Sequence, residues 1–496
     1  MHKLLSKCLQ VPRSVAPHTV KLCTSTVRTK LDEIRETIKP HEAKNYGQPT
    51  PETHSHLLKP GEFTPGITLQ EFQARRTKLV EKIVTNSNAR QHYVLIPSGK
   101  KKFMSGKIPY VFRQNTDFFY LTGCQEPDSC LLLEINDEKC VSTMFLRPKD
   151  KNMEMWDGVV TGLGDGPEFF GVDQSIDIAD LTNYLGLTFK SSQPEVIWYN
   201  SDESEFPRLT STVKELIQAT AGANLTSPTN LIHQLRLFKS PSEQKLMQRT
   251  CQIAAEAINE TISWCRPDIS EHHLYAKVDY ECRMRDANFL AYPPVVATGA
   301  NATTIHYINN CQMARAGETV LMDAGCEFGG YSSDITRTFP VDGKFTEAQR
   351  VLYEVVLQTQ TNLIRVLQEK ECSLDELFEI MCLELGKCLK EIGLIPKHVS
   401  GVELARAAYK FCPHHVSHYL GMDVHDTSTI SRGLKLEPGM CFTIEPGLYI
   451  SRNSRTVPEE FRGIGIRIED DALMLPNRKL QILTETCVKD VKDVER

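Results

Sequence analysis

The spacing of apolar and polar positions divides this chain into two regions of different character. Over residues 69–84 the apolar side chains Phe72, Leu79, Val80 and Ile83 return at helical intervals, which predicts an amphipathic helix. Residues 93–96, 118–121, 130–134 and 143–146 are short apolar runs separated by turn residues, and each predicts a strand. Helix and strand patterns alternate through residues 66–234, the signature of an α/β amino-terminal domain. From residue 235 to 496 the pattern changes. Ser240-Pro241-Ser242-Glu243 opens a helix with a serine cap, a first-turn proline and a glutamate that reaches back. That helix carries Ile253, Ala257 and Ile258 and stops before Pro267, and Ser270 caps the next one over 271–286. Residues 295–306 read as strand and loop, and 345–370 and 374–392 as long helices. Residues 320–341, VLMDAGCEFGGYSSDITRTFPV, read as two strands joined by a glycine-rich turn, so this second domain is predicted α+β with antiparallel strands.

Composition narrows the picture. A chain of 496 residues with 41% hydrophobic content has material for two cores, and a formal charge of −6 argues against a nucleic-acid binder. The 16 cysteines are scattered without a CxxC pair and read as reduced core residues. No apolar run is long enough to span a bilayer. The first thirty residues hold Lys3, Lys7, Arg13, Lys21, Arg28 and Lys30, several Ser and Thr, and no acid before Asp32. This composition predicts a mitochondrial transit peptide over 1–31, followed by an extended linker over 32–65 rich in Pro, His and Gly. A product lacking the first thirty residues would supply a second, cytosolic pool.

Candidate chemistry begins in the 320–341 hairpin. Asp323 ends its first strand, and Asp334 shares a face of the second with Thr336 and Thr338. Carboxylates facing each other across a ladder destabilise it unless a cation lies between them. On these two residues alone, a solvated hairpin with incidental acids is an equal reading. Three later segments tip the balance: the histidine-dense 414–425, the strand ending in Glu445, and GIRIED over 465–470, where Arg467 and Glu469 share a face. Asp323, Asp334, His418, Glu445 and Glu469 form an oxygen-rich set with one imidazole. Such a set suits Mn²⁺ most naturally, with Zn²⁺ and Co²⁺ as alternatives. Four carboxylates balance two divalent ions better than one, at the roughly 3.5–4 Å separation of dinuclear sites.

Two aspartates eleven residues apart, followed by His, Glu and Glu, resemble the metal set of the M24 metallopeptidases. DAGCEFGGYSSDITRTFPVDGKFT, HYLGMDVHD, TIEPGLYI and RGIGIRIEDD are similar to the blocks of the aminopeptidase P branch nearly residue for residue. RQNTDFFYLTG, residues 113–123, resembles a segment of that branch's amino-terminal domain, and NYGQPTPETHSHLLKPGEFTPGI resembles the pre-domain segment of its mitochondrial members. The resemblance implies a creatinase-like α/β amino-terminal domain, a "pita-bread" catalytic domain with two metal ions, and a homodimer. It implies that Asp323 binds one ion, that His418 and Glu445 bind the other, and that Asp334 and Glu469 bridge them. Glu445 would also move the proton of the nucleophile.

Taken singly, His306, His414 and His425 read as packed or surface histidines. Their match to the branch gives all three a place along the substrate, with His414 and His425 catalytic. Arg467 matches an arginine that orients ligand carboxylates, and it borders the substrate with Tyr449. His415 departs from the pattern, standing where many relatives have glycine. The implied reaction removes the first residue of peptides with proline second, and trims imported mitochondrial proteins by one residue. The nearest rival is a prolidase confined to dipeptides, and the rival of another class is an inactive pita-bread module that binds proteins.

Overall fold

In the computed structural model, residues 44–495 are described, apart from 138, 193 and 220–222. The expected transit peptide and the first part of the expected linker lie outside the described residues. Helix α1 (Leu69–Asn86) starts where the Thr68 side chain accepts a hydrogen bond from the Glu71 N–H, and it buries Phe72, Leu79 and Ile83. Strands β1 (Gln91–Pro97), β2 (Cys130–Asn136), β3 (Lys139–Leu146), β4 (Gln174–Asp177), β5 (Val196–Trp198) and β6 (Asn224–Thr226) form one sheet in the order β4-β3-β2-β1-β5-β6. The pairs β1–β2 and β2–β3 are antiparallel and the others parallel.

One predicted strand is corrected. Residues 118–121 belong to helix α2 (Thr116–Thr122), which opens where the Asn115 side chain accepts from the Phe118 N–H and closes at Gly123 in the left-handed region, φ 65°. Phe118 through Thr122 are all buried, so the run lacks the polar alternation that separates helix from strand. Ahead of α1, the described part of the linker is irregular but pinned. Tyr46 stacks on Phe169 at 4.0 Å, and the Gln48 side chain donates to the Gly123 carbonyl at 3.1 Å.

Beyond Lys239, the described strands pair only antiparallel. Helix α3 (Pro241–Trp264) opens with the expected capping box of Ser240 and Glu243. Helix α4 (Glu271–Arg283) is capped by Ser270 and ends three residues before the predicted 286. Strands β7 (Val295–Thr298), β8 (Thr319–Ala324) and β11 (Ile335–Pro340) form one sheet, in that order, with a small hairpin of β9 (Cys326–Phe328) and β10 (Tyr331–Ser332) at the turn. Strands β12 (Cys441–Ile444), β15 (Asp470–Met474) and β16 (Leu480–Ile482) form another, and β13 (Gly447–Tyr449) pairs with β14 (Gly465–Arg467). Helices α3, α5 (Glu347–Glu369) and α6 (Leu374–Glu391) share one apolar cluster with these strands. The described cysteines are free thiols, nearly all buried, as a reduced core predicts.

Candidate metal centre

The ladders of this region stop at acids. Strand β8 pairs with β11 in the register Asp323↔Thr336 and Ala324↔Ile335, so Asp334 stands one step past the ladder. The face-to-face aspartates expected from sequence are therefore diagonal, a placement that avoids directly opposed charges. The turn closes on Gly325 because the Ser333 carbonyl occupies the place a Cβ would need. Strand β12 meets β15 at Ile444↔Asp470, which leaves Glu445 and Glu469 at the next step of each strand. His418 runs alongside β12: its N–H donates to Thr443 Oγ1 at 3.2 Å, and its carbonyl accepts from the Thr443 N–H at 3.0 Å.

These ends converge. One ligand atom each from Asp334, His418 and Glu469 lie within 4.8 Å of one another. His418 Nε2 is 3.3 Å from Asp334 Oδ2 and 3.7 Å from Glu445 Oε1. Its Nδ1 lies 3.1 Å from the Tyr419 carbonyl, a contact that places a proton on Nδ1 and turns Nε2 toward the acids. Asp323 joins the set through two partners. Tyr292 donates its hydroxyl to Asp323 Oδ1 at 2.6 Å and also touches Asp334 Oδ1. Arg467 Nη2 donates to Asp323 Oδ2 at 2.6 Å.

Arg467 is spent entirely on the protein. Its Nε donates to Thr336 Oγ1 at 2.9 Å and its Nη1 to the Tyr449 hydroxyl at 2.8 Å. Thr336 in turn donates to Glu469 Oε2 at 2.6 Å. The Tyr449 hydroxyl lies 2.9 Å from His414 Nε2, and His414 Nδ1 lies 3.7 Å from Glu445 Oε2. The His425 ring packs edge-on to His418 at 4.5 Å. His306 is exposed. His415 turns away to stack on Phe378 at 5.0 Å. The sequence reading missed Tyr292. It lies in an Ala-Tyr-Pro-Pro turn without periodicity, and only the topology brings it to the hairpin.

Charge at this centre is out of balance. Burial, then the neighbouring Asp323, pushes the Asp334 carboxyl well above its ordinary range. Glu469 is pushed well above by burial and then by Asp334, Glu445 and Asp323. Burial raises Glu445 to about 7, against the pull of His418 and Arg467. His414 and His425 are both lowered to about 4 by burial, with Arg467 adding to the first and His418 to the second. Four carboxylates face one buried guanidinium. Carboxylate oxygens with one neutral imidazole nitrogen suit hard or borderline divalent cations, whose charge would remove the repulsion. The residues present fit a metal pair. A cavity of about 250 Å³ lined by Leu58, Arg113, Phe119 and Glu327 is separate, and none of the five candidate ligands lines it.

Both regions of the chain are similar to known proteins. Residues 245–475 match the model of metallopeptidase family M24, and residues 72–198 match that of the aminopeptidase P N-terminal domain. The chain is 39% identical to Xaa-Pro aminopeptidase 3 of Rattus norvegicus, covering 100% of this chain and 99% of the relative. It is 38% identical to the mitochondrial intermediate cleaving peptidase 55 of Arabidopsis thaliana, covering 91% and 87%. Among solved structures, zinc-substituted aminopeptidase P of E. coli in complex with product superposes with a TM-score of 0.78 at 34% identity, covering 86% of this chain and 97% of that one. Icp55 of Saccharomyces cerevisiae gives a TM-score of 0.77 at 34% identity, covering 88% and 98%.

Proposed function

The chain belongs to metallopeptidase family M24, and from that membership we propose that it is a metal-dependent aminopeptidase that releases the first residue of peptides with proline in second position. The observation that carries this reading is the convergence of Asp334, His418 and Glu469, with Asp323 and Glu445 at their side. We assign Asp323, Asp334, His418, Glu445 and Glu469 as ligands of two divalent ions, Mn²⁺ being the best fit to so many carboxylates. Bound there, the ions supply charge that lowers the pKa of water and polarises the scissile carbonyl.

The chain's own residues do the rest. Glu445, beside His418 and His414, is placed to take a proton and return it to the departing amine. His414 and His425, lowered to about 4, stay neutral at pH 7; His425 donates a hydrogen bond to the reacting carbonyl without adding charge, while His414, whose ring nitrogens meet the His415 carbonyl and the Tyr449 hydroxyl, lines the substrate side of the centre. His306 borders the substrate. Arg467 and Tyr449 hold Asp323 and His414 in place behind it. Proline after the scissile bond offers no N–H and restricts the residue before it, which is why a dedicated pocket is needed.

The names of the relatives, an Xaa-Pro aminopeptidase and a mitochondrial intermediate cleaving peptidase, support two substrates, Xaa-Pro peptides and intermediates of mitochondrial proteins, from which this chain would trim one residue. The mitochondrial relative also supports a mitochondrial location for this chain. Within this reading, residues 1–31 are the transit peptide, residues 66–234 and 235–496 are the two domains, and the enzyme is a homodimer with a second, cytosolic pool.

The test is hydrolysis of Xaa-Pro dipeptides, tripeptides and longer peptides by protein stripped of metal and refilled with Mn²⁺. Cleavage of tripeptides and longer chains only after refilling is the expected result. Cleavage confined to dipeptides would make it a prolidase, and no cleavage with any divalent ion would leave a binding module.

A further inference from the structure

His425 has a problem of position. It lies in residues 421–431, which carry no helix or strand, and no hydrogen bond to its ring is made among the described residues. Its place is set by the backbone on either side, and that backbone is held by side chains. Asp423 and Asp426 flank it, and both are gripped by Arg236, which lies between the two segments that match family models. Arg236 Nη2 donates to Asp423 Oδ2 at 2.7 Å and to Asp426 Oδ1, and its Nη1 donates to Asp117 Oδ1 at 2.7 Å on the first turn of α2. Lys239 Nζ donates to the second oxygen of Asp426 at 3.0 Å. Arg113, ahead of α2, donates to the Met422 carbonyl at 2.9 Å and to Asp423 Oδ1 at 3.0 Å. Thr116 donates to the same oxygen at 2.8 Å. A Cβ on Gly421 would collide with the Asp426 carboxylate and the Lys239 ammonium, so the loop packs directly on this pair.

Buried ion pairs are weak evidence for stability and better evidence for a fixed geometry. Arg236 and Lys239 have side chains only 3% and 1% exposed and Asp426 is fully buried, so the centre of the network is desolvated while Asp423 reaches solvent. An apolar plug would fill the same space but would not fix the angle of the loop.

We propose that Arg236 is a positioning residue for the aminopeptidase reaction. It ties the loop bearing His425 to helix α2, so that the amino-terminal half of the fold sets where His425 meets the substrate. The inference rests on the function proposed above. A single planar guanidinium reaching three carboxylates at once does what an ammonium cannot.

The experiment is a double-mutant cycle with amide exchange on the metal-loaded protein, using Arg236→Met, Arg236→Lys, Asp423→Ala and His425→Ala. Arg236→Met is expected to lower kcat on an Xaa-Pro tripeptide by about 10- to 100-fold with KM changed less than about threefold, and to lower it less than about twofold in the His425→Ala background. Arg236→Lys, which keeps the charge, should fall between the two. Asp423→Ala, at a partly exposed member of the network, provides the same cycle should Arg236→Met not fold. Exchange should speed up over residues 419–430 and stay unchanged over 320–340. Equal losses in both backgrounds, full activity of His425→Ala, or exchange raised equally in both segments would overturn the proposal. Wild-type protein that cleaves no Xaa-Pro peptide would sink the function reading instead, while the exchange pattern still decides the positioning.

Discussion

Two buried charged regions of this protein lie close together and behave oppositely. Around Arg236, three aspartates meet two arginines and a lysine, and the cations hold the Asp423 and Asp426 carboxyls below their ordinary values despite burial. Around His418, four carboxylates meet a single arginine, and burial pushes Asp334, Glu445 and Glu469 up. The cost of burial is common to both, so the difference is the supply of positive charge. The first region is complete with protein alone. The second is complete only with cations from outside, and that is the physical content of calling it a metal centre.

The largest expected effect comes from breaking the second region. Asp334→Asn should reduce hydrolysis of Xaa-Pro peptides by at least about 10³-fold and weaken metal binding, read by steady-state kinetics with metal analysis. An Asp334→Asn enzyme with normal rate and metal content would remove Asp334 from the ligand set. Next comes the balanced region. Asp426→Asn leaves Arg236 and Lys239 buried without their central partner and should cost about 3–5 kcal/mol in urea unfolding. Glu469→Gln in metal-free protein should change stability by less than about 1 kcal/mol, because the native carboxyl already prefers its neutral form. If the two substitutions cost the same, the contrast between the regions fails.

Acid and base should separate them as well. Asp426 has a folded value below its usual 3.8, so its contribution is fully present above the unfolded value and is lost as pH falls through the folded one. Glu445 goes the other way in metal-free protein. Its folded value of about 7 lies above the usual 4.5, so the native state holds a proton the unfolded chain has released, and stability declines as pH rises between those values. Unfolding curves of metal-free wild type and Glu445→Gln, compared from pH 4 to pH 8, should diverge over that interval. Curves that run parallel would contradict the assignment.

Much of this was legible in the sequence because it is local. Ser240, Pro241 and Glu243 announce a helix start through contacts within one turn, and the capping box stands as expected. The five candidate ligands were legible because each sits at the end of an apolar strand or in a histidine-dense loop, where a charge has no packing role. Residues 118–121 were misread because an aromatic run buried on all sides has no period. The signals that would have corrected it are the Asn115 cap and the Gly123 stop. Tyr292, and the grip of Arg236 on Asp426, could not be seen at all. Each joins residues far apart in sequence, Arg236 and Asp426 being 190 positions apart, and no spacing rule reaches that distance.

The measurement that bears most directly on the central claim is calorimetric titration of metal-free protein with Mn²⁺ near pH 6, repeated in buffers of different ionisation enthalpy. Two ions bound per chain and a net release of protons are the expected result, because ligand carboxyls that burial keeps protonated must give up their protons to bind. A single ion, or binding without proton release, would mean that the charge imbalance around His418 has another explanation.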